Sequence, residues 1–150
     1  MEPGPTSATV AGMSHPIVVG YDGTPAGTNA LRWALENAPR ESPVVAVAIQ
    51  GTEPIPLPGG DPLARVATRM AHDERDFWLA WDRDQEALGD AVELVVEHGR
   101  PSDLLLRVAR EREARLLVMG RHHRQLAMLR PSVLRDVLDD ADLPVVVVPW

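Results

Sequence analysis

Between Leu116 and Leu138 the chain reads LLVMGRHHRQLAMLRPSVLRDVL. An apolar run reaches Gly120, crosses a basic stretch and enters an apolar-periodic segment. A glycine between a strand and a helix can hold a phosphate, because it lets backbone N–H groups approach an oxygen closely. Arg121, Arg124 and Arg130 add positive charge, and His122 and His123 add more when protonated. Ser132 suits the N-cap of the following helix, whose N-terminus would favour an anion. A second chemically suggestive stretch is GYDGTP at Gly20–Pro25, where Asp22 follows an apolar run. Its carboxylate could accept from a ribose or an adenine. The same four residues DGTP are also good turn chemistry, so both readings stand. Gly120 likewise either lines a phosphate or lets the chain turn sharply after its strand.

Other constellations point to bland roles. Side chains of adjacent residues diverge, so His122 and His123 cannot share a metal, and no Cys, Asp or Glu close by completes a set. They read as a solvated loop. Ser132 has no G-x-S-x-G setting, which leaves it as a cap rather than a nucleophile. Trp78 and Trp81 are three apart, as core or partner-facing residues of a helix are. The carboxylates of AHDERDFWLAWDRDQEALGD read mostly as a solvated helix face. A P-loop and a G-x-G-x-x-G fingerprint are both missing, which argues against a P-loop NTPase or a dinucleotide dehydrogenase.

Length and composition frame these groups. A chain of 150 residues with 45% hydrophobic and 25% charged residues suits one globular domain. A net charge of −7 disfavours nucleic acid as a partner. With no cysteine there are no disulfides and no thiolate chemistry. No apolar run approaches the roughly 20 residues of a membrane span. The segment MEPGPTSATVAGMSHP lacks the basic start and apolar centre of a secretory signal. Residues 1–15 therefore read as a flexible tail, residues 16–150 as the domain, and the cytoplasm as the expected compartment.

The elements that must position these residues alternate. PIVVGYD, PVVAVAIQ, AVELVVEHG, RLLVMG and LPVVVVPW are short and rich in β-branched residues, hence strands. Between them lie helical patterns. The first has Thr24 as N-cap, Pro25 at N1, and Ala30, Leu31, Ala34, Leu35 and Ala38 on one face. A long helix from about Leu63 to Leu88 would put Val66, Ala67, Met70, Phe77, Trp78 and Trp81 inward. PSDLLLRVAREREA is a helix with Ser102 as expected N-cap, and Val133, Leu134, Val137 and Leu138 mark the last. Trp33 falls off the apolar stripe of the first helix and should be partly exposed. Continuous apolar strands joined by helices make a parallel sheet buried on both faces. The expected fold is α/β, a single doubly wound five-stranded parallel sheet sandwiched by helices. Ligands of such sheets sit at the carboxyl ends of the strands where strand order reverses, here the ends of strands 1 and 4.

At those ends the sequence resembles the universal stress protein family. The resemblance is carried by IVVGYDGTPAGTNALRWAL, HGRPSDLLLRVAREREARLLVMG and PSVLRDVLDDADLPVVVVPW, in the family's order and spacing. It implies a Rossmann-like fold of the adenine nucleotide alpha hydrolase-like type. It also implies an aspartate at the end of strand 1 and a backbone group on strand 2 that hold adenosine. A loop of the form G-x2-G-x9-G-S/T after strand 4 would wrap the phosphates of ATP. Asp22 matches the aspartate, with Gly20 two residues before it, and Ile49 is the strand-2 position. Met119 and Gly120 match the start of the loop. Then the match fails. His123 stands in place of the second glycine and Pro131 in place of the third, after seven residues rather than nine. Ser132 keeps the hydroxyl, whereas an ungapped count places Val133 and Leu134 there. Histidine visits the left-handed region rarely, and proline has no N–H to donate.

The resulting expectation is a cytoplasmic regulatory binding module with a degenerate adenine-nucleotide cleft. Its site residues would be Gly20, Asp22, Ile49, Met119, Gly120, His122, His123, Ser132 and Val133. ATP or AMP is the expected ligand, with Mg²⁺ only alongside nucleotide. The alternative is an ATP-binding switch with slow hydrolysis. A true enzyme fits less well, because GYDGTPAG lacks the S-G-G-x-D-S loop that adenylating relatives carry after strand 1. The valine run of LPVVVVPW is an edge hazard unless covered. Pairing through residues 143–150 into a homodimer would cover it, as the resemblance also implies.

Overall fold

The computed structural model describes residues 15–50, 62–89, 91–121 and 133–149. Five strands and four helices alternate along it. The strands are β1 (Ile17–Gly20), β2 (Val44–Gln50), β3 (Val92–His98), β4 (Leu116–Gly120) and β5 (Val145–Val148). The helices are α1 (Pro25–Asn37), α2 (Pro62–Leu88), α3 (Pro101–Glu111) and α4 (Val133–Asp140). Residues 1–14, residues 51–61, Asp90, residues 122–132 and Trp150 lie outside the described set, as do the side chains of Val66, Ala67 and Met70.

All pairings are parallel, and the sheet order is β3-β2-β1-β4-β5. The chain winds outward from β1 to β3 and then crosses back to place β4 on the other side of β1. Strand order therefore reverses between β1 and β4, as the sequence predicted. In the central register Ile17 sits between Val44 and Leu116, and Val19 between Ala46 and Val118.

Period-two alternation sorts the apolar strand residues into two cores. Ile17, Val19, Ala46 and Val118 face one side, under Ala30, Leu31 and Ala34 of α1 and Phe77 and Trp81 of α2. Val18, Val45, Val47, Leu117 and Met119 face the other, under Leu105, Leu106 and Val108 of α3 and Val137 of α4. Burying each such aliphatic side chain stabilises the fold by about 1.5–3 kcal/mol. That is why β1 and β4 are apolar at every position rather than at every second one.

Local signals set the helix starts. Thr24 is the N-cap of α1, its hydroxyl accepting from the Gly27 amide, and Pro25 follows at N1. The N-cap of α3 is Arg100, not Ser102. Pro101, with φ preset and no N–H to lose, takes N1 and starts the helix earlier, which puts Ser102 inside the first turn and buries it. Trp33 is half-buried, as expected, and packs beside the α1–α2 core. Two apolar residues expected to point inward are on the surface. Trp78 is 39% exposed and Leu138 51% exposed. Each lies one residue, about 100° of helical turn, past a buried neighbour, Phe77 and Val137.

Candidate functional site

The site grows from the turn between β1 and α1. Gly23 has φ of 80°, the left-handed conformation that costs glycine nothing. The chain can then reverse within Asp22–Thr24. Asp22 locks the turn: its Oδ1 accepts the Thr24 amide at 3.0 Å and also the Thr24 hydroxyl. The carboxylate is exposed and sits at the N-terminal end of α1, where a negative charge is favoured. The turn reading of DGTP is the one these bonds describe, with Asp22 at the carboxyl end of β1.

Across the crevice, β4 ends at Gly120, and the Arg121 amide continues the ladder to the Val148 carbonyl at 3.0 Å. Gly120 is not among the glycines with positive φ, so a sharp turn is not the reason for it. Its reason is packing. A Cβ on Gly120 would run into the Ala26 carbonyl of α1. The first turn of α1 lies directly on the end of β4, and only a residue without a side chain permits that approach. Gly27 does the same from the helix side, since a Cβ there would come within 2.8 Å of Asp22 Oδ1. Gly20 is different. A Cβ there would meet Leu105 and Met119 at 3.6–3.7 Å, an ordinary contact.

These directions divide the expected site residues between the two faces of the sheet. Asp22 and Gly120 belong with the N-terminus of α1. Gly20 faces Leu105 and Met119, and Ile49, Met119 and Val133 pack with the α3–α4 core. Ile49 lies two residues beyond Val47, the partner of Gly20, so it stands at the same carboxyl edge. His122, His123 and Ser132 lie outside the described residues. Among the described residues no group of three His, Asp or Glu could hold a metal ion.

One polar centre was not anticipated. Asp84 of α2 belongs to the stretch that reads as a solvated helix face, yet it is 3% exposed. Its Oδ2 accepts the Tyr21 hydroxyl at 2.6 Å and the Thr28 hydroxyl at 2.7 Å, and its Oδ1 accepts Nε of Arg83 at 3.2 Å. Burial alone would push the Asp84 carboxyl up. The hydrogen bonds from Tyr21, Thr28 and Arg83 outweigh it and hold the carboxyl below the ordinary carboxylate range. Burial, then the hydrogen bond to Asp84 and its charge, push the Tyr21 phenol far above the ordinary phenol range, so it stays a donor. The tyrosine ring meets Phe77 and Trp81 edge-on, with centroids 5.7 and 5.3 Å away. A signal for this centre does exist in the sequence. Asp84 follows Phe77 by seven residues and Trp81 by three, so it falls on the inner stripe of α2.

Residues 13–149 match the family model described as the universal stress protein family. No curated protein sequence matches the chain. Among solved structures, a protein of that family from Burkholderia pseudomallei is 29% identical, covering 92% of this chain and 98% of its own, with a TM-score of 0.62. The universal stress protein of Archaeoglobus fulgidus is 27% identical, covering 93% and 98%, with a TM-score of 0.63. A structure of the Archaeoglobus fulgidus protein in complex with dAMP is 27% identical, covering 90% and 98%, with a TM-score of 0.61.

Proposed function

The chain belongs to the universal stress protein family, and on that premise we propose that it is a regulatory binding module whose adenine-nucleotide crevice is reduced. The crevice lies between the carboxyl ends of β1 and β4. It takes a mononucleotide weakly rather than ATP through a glycine-lined phosphate loop. Asp22 holds the adenosine part together with the backbone near Ile49, and Gly20 and Met119 line the floor. Gly120, His122, His123, Ser132 and Val133 border the phosphate end. Mg²⁺ enters only with nucleotide. The module works in the cytoplasm as a homodimer paired through β5, and its output is protein contact rather than catalysis.

The observation that carries this reading is the Gly120–Ala26 contact. Of the three glycines of the family's phosphate loop, this chain keeps one, and that one is required by the approach of α1. In the sequence His123 and Pro131 stand where the family's pattern has its other two glycines, and proline has no N–H to donate. What remains is charge, from Arg121, Arg124 and Arg130, which can hold one phosphate without wrapping three. The dAMP complex of the Archaeoglobus fulgidus protein supports a monophosphate as the ligand class.

The test is to purify the protein without added nucleotide, denature it and assay the supernatant for adenine nucleotides. Calorimetric titration with dAMP, AMP and Mg·ATP follows. We expect no co-purified ATP, and dAMP or AMP binding no weaker than that of ATP and lost in Asp22→Ala. Co-purified stoichiometric ATP, or ATP bound at least about tenfold (about 1.4 kcal/mol) more tightly than AMP, would sink the reduced crevice and favour an ATP switch.

A further inference from the structure

We propose that Asp84 is the positioning residue of the crevice: through Tyr21 and Thr28 it fixes both flanks of the turn that presents Asp22. The inference rests on the crevice reading above for its binding consequence, but its structural part stands alone.

The geometry is a clamp with one anchor and two arms. Tyr21 immediately precedes Asp22, and Thr28 lies in the first turns of α1, just past the N-cap turn. Both hydroxyls donate to the same carboxylate oxygen, at 2.6 and 2.7 Å. Asp22 Oδ1 accepts the amide and the hydroxyl of Thr24, two residues away, and these bonds shape the turn. Side-chain ties to the turn's flanks come from α2, beside the backbone bond from the Tyr21 amide to the Val47 carbonyl at 3.0 Å. Beside the clamp, a Cβ on Gly23 would already touch Ala80 at 3.3 Å and Phe77 at 3.6 Å, so the same helix wall closes over the tip of the turn. α2, a helix contributed by a distant part of the chain, thus holds both flanks of the turn by side-chain bonds.

A carboxylate here is not explained by stability alone. An apolar residue of similar volume can replace a buried charge at no cost or with a gain. Directed hydrogen bonds add something apolar packing does not, because they fix distance and orientation together. An apolar contact between α2 and Tyr21 would let the turn slide by fractions of an ångström, and a ligand held by Asp22 would lose its partner. Arg83 completes the arrangement by satisfying the second oxygen from the solvent side, where its own side chain is 63% exposed.

The test uses the full chain carrying Tyr21→Phe and Thr28→Val, which remove both donors and keep ring and volume. Residue-resolved amide hydrogen exchange is measured on Thr24, Gly27 and Thr28 and on the core amides of Val18 and Val118. Calorimetry with dAMP is run alongside. We expect exchange in the turn to rise at least about tenfold beyond any rise in the core, as loss of a hydrogen bond to a charged group should allow. Where the parent binds dAMP, its affinity should fall by a similar factor in the variant. Asp84→Asn, which retains one acceptor, should fall between parent and double variant. Equal increases in turn and core would overturn the proposal, because Asp84 would then be a global stabiliser only. If the parent does not bind dAMP, the proposed function fails while the exchange data still decide the clamp.

Discussion

At the scale of the residue, the two glycines at the crevice have opposite explanations. Gly120 is required because α1 lies on it, whereas Gly20 has room for a methyl group. Gly120→Ala must move helix backbone and should cost at least about 2 kcal/mol, as overpacking against an unyielding neighbour does. Gly20→Ala should change stability by less than about 1 kcal/mol, the added contact and lower chain entropy offsetting any local adjustment. Urea denaturation of the two variants checks this directly. Equal losses would mean that the Gly120–Ala26 approach is not what the glycine serves. Asp22 makes a similar point. Its turn chemistry was readable in DGTP, but its bond to the Thr24 hydroxyl makes one carboxylate oxygen part of the scaffold.

At the scale of the element, α3 ends in a way the sequence does not favour. Its last carbonyls are closed by Ala114 N–H to Ala109 O at 2.8 Å and Glu113 N–H to Arg110 O at 3.1 Å. This is a left-handed cap, and the residue in the left-handed position is Glu113 with φ of 51°, where glycine is usual. Glu113→Gly should raise stability by up to about 1 kcal/mol, read as a higher urea midpoint at unchanged slope. A loss would show that the glutamate side chain compensates for its backbone. Strands and helices were otherwise legible, because continuous β-branched runs and Pro-led helix starts are strong local signals. What escaped was tertiary. The burial of Asp84 depends on Tyr21, 63 residues away, and the polar run Asp82-Arg83 before it and Gln85-Glu86 after it hid its place on the inner stripe. Trp78 was misplaced for the converse reason, since its hydrophobicity outweighed its angular position. Of the candidate site, the reversal of strand order between β1 and β4 and the turn chemistry of Asp22 were legible. The packing role of Gly120 was not, because a missing side chain leaves no trace of the neighbour that required it.

At the scale of the molecule, β3 and β5 are the sheet edges, and they are unlike each other. β3 carries Glu93, Glu97 and His98, and α3 is strapped to it by Arg112–Glu93 at 2.7 Å and Arg107–Glu97 at 3.3 Å. β5 is four valines, three of them only half-buried. The proposed pairing of two copies through β5 predicts a dimer by sedimentation at micromolar concentration, and a monomer in Val147→Lys, because facing lysines across a two-fold axis repel. A parent that sediments as a monomer would remove the homodimer. The winding order also has a consequence in time. β1 is central, yet its second neighbour β4 arrives roughly 100 residues later in the chain, so that closing the sheet carries the slow, non-local loop closure typical of parallel architectures. A ribosome adding about 5–20 residues per second exposes β1 for several seconds with one flank bare. Neither the Asp84 clamp nor the Gly120 contact can form early in that interval. The crevice is thus completed late, and a nascent chain must extend beyond Gly120 before it can hold anything there.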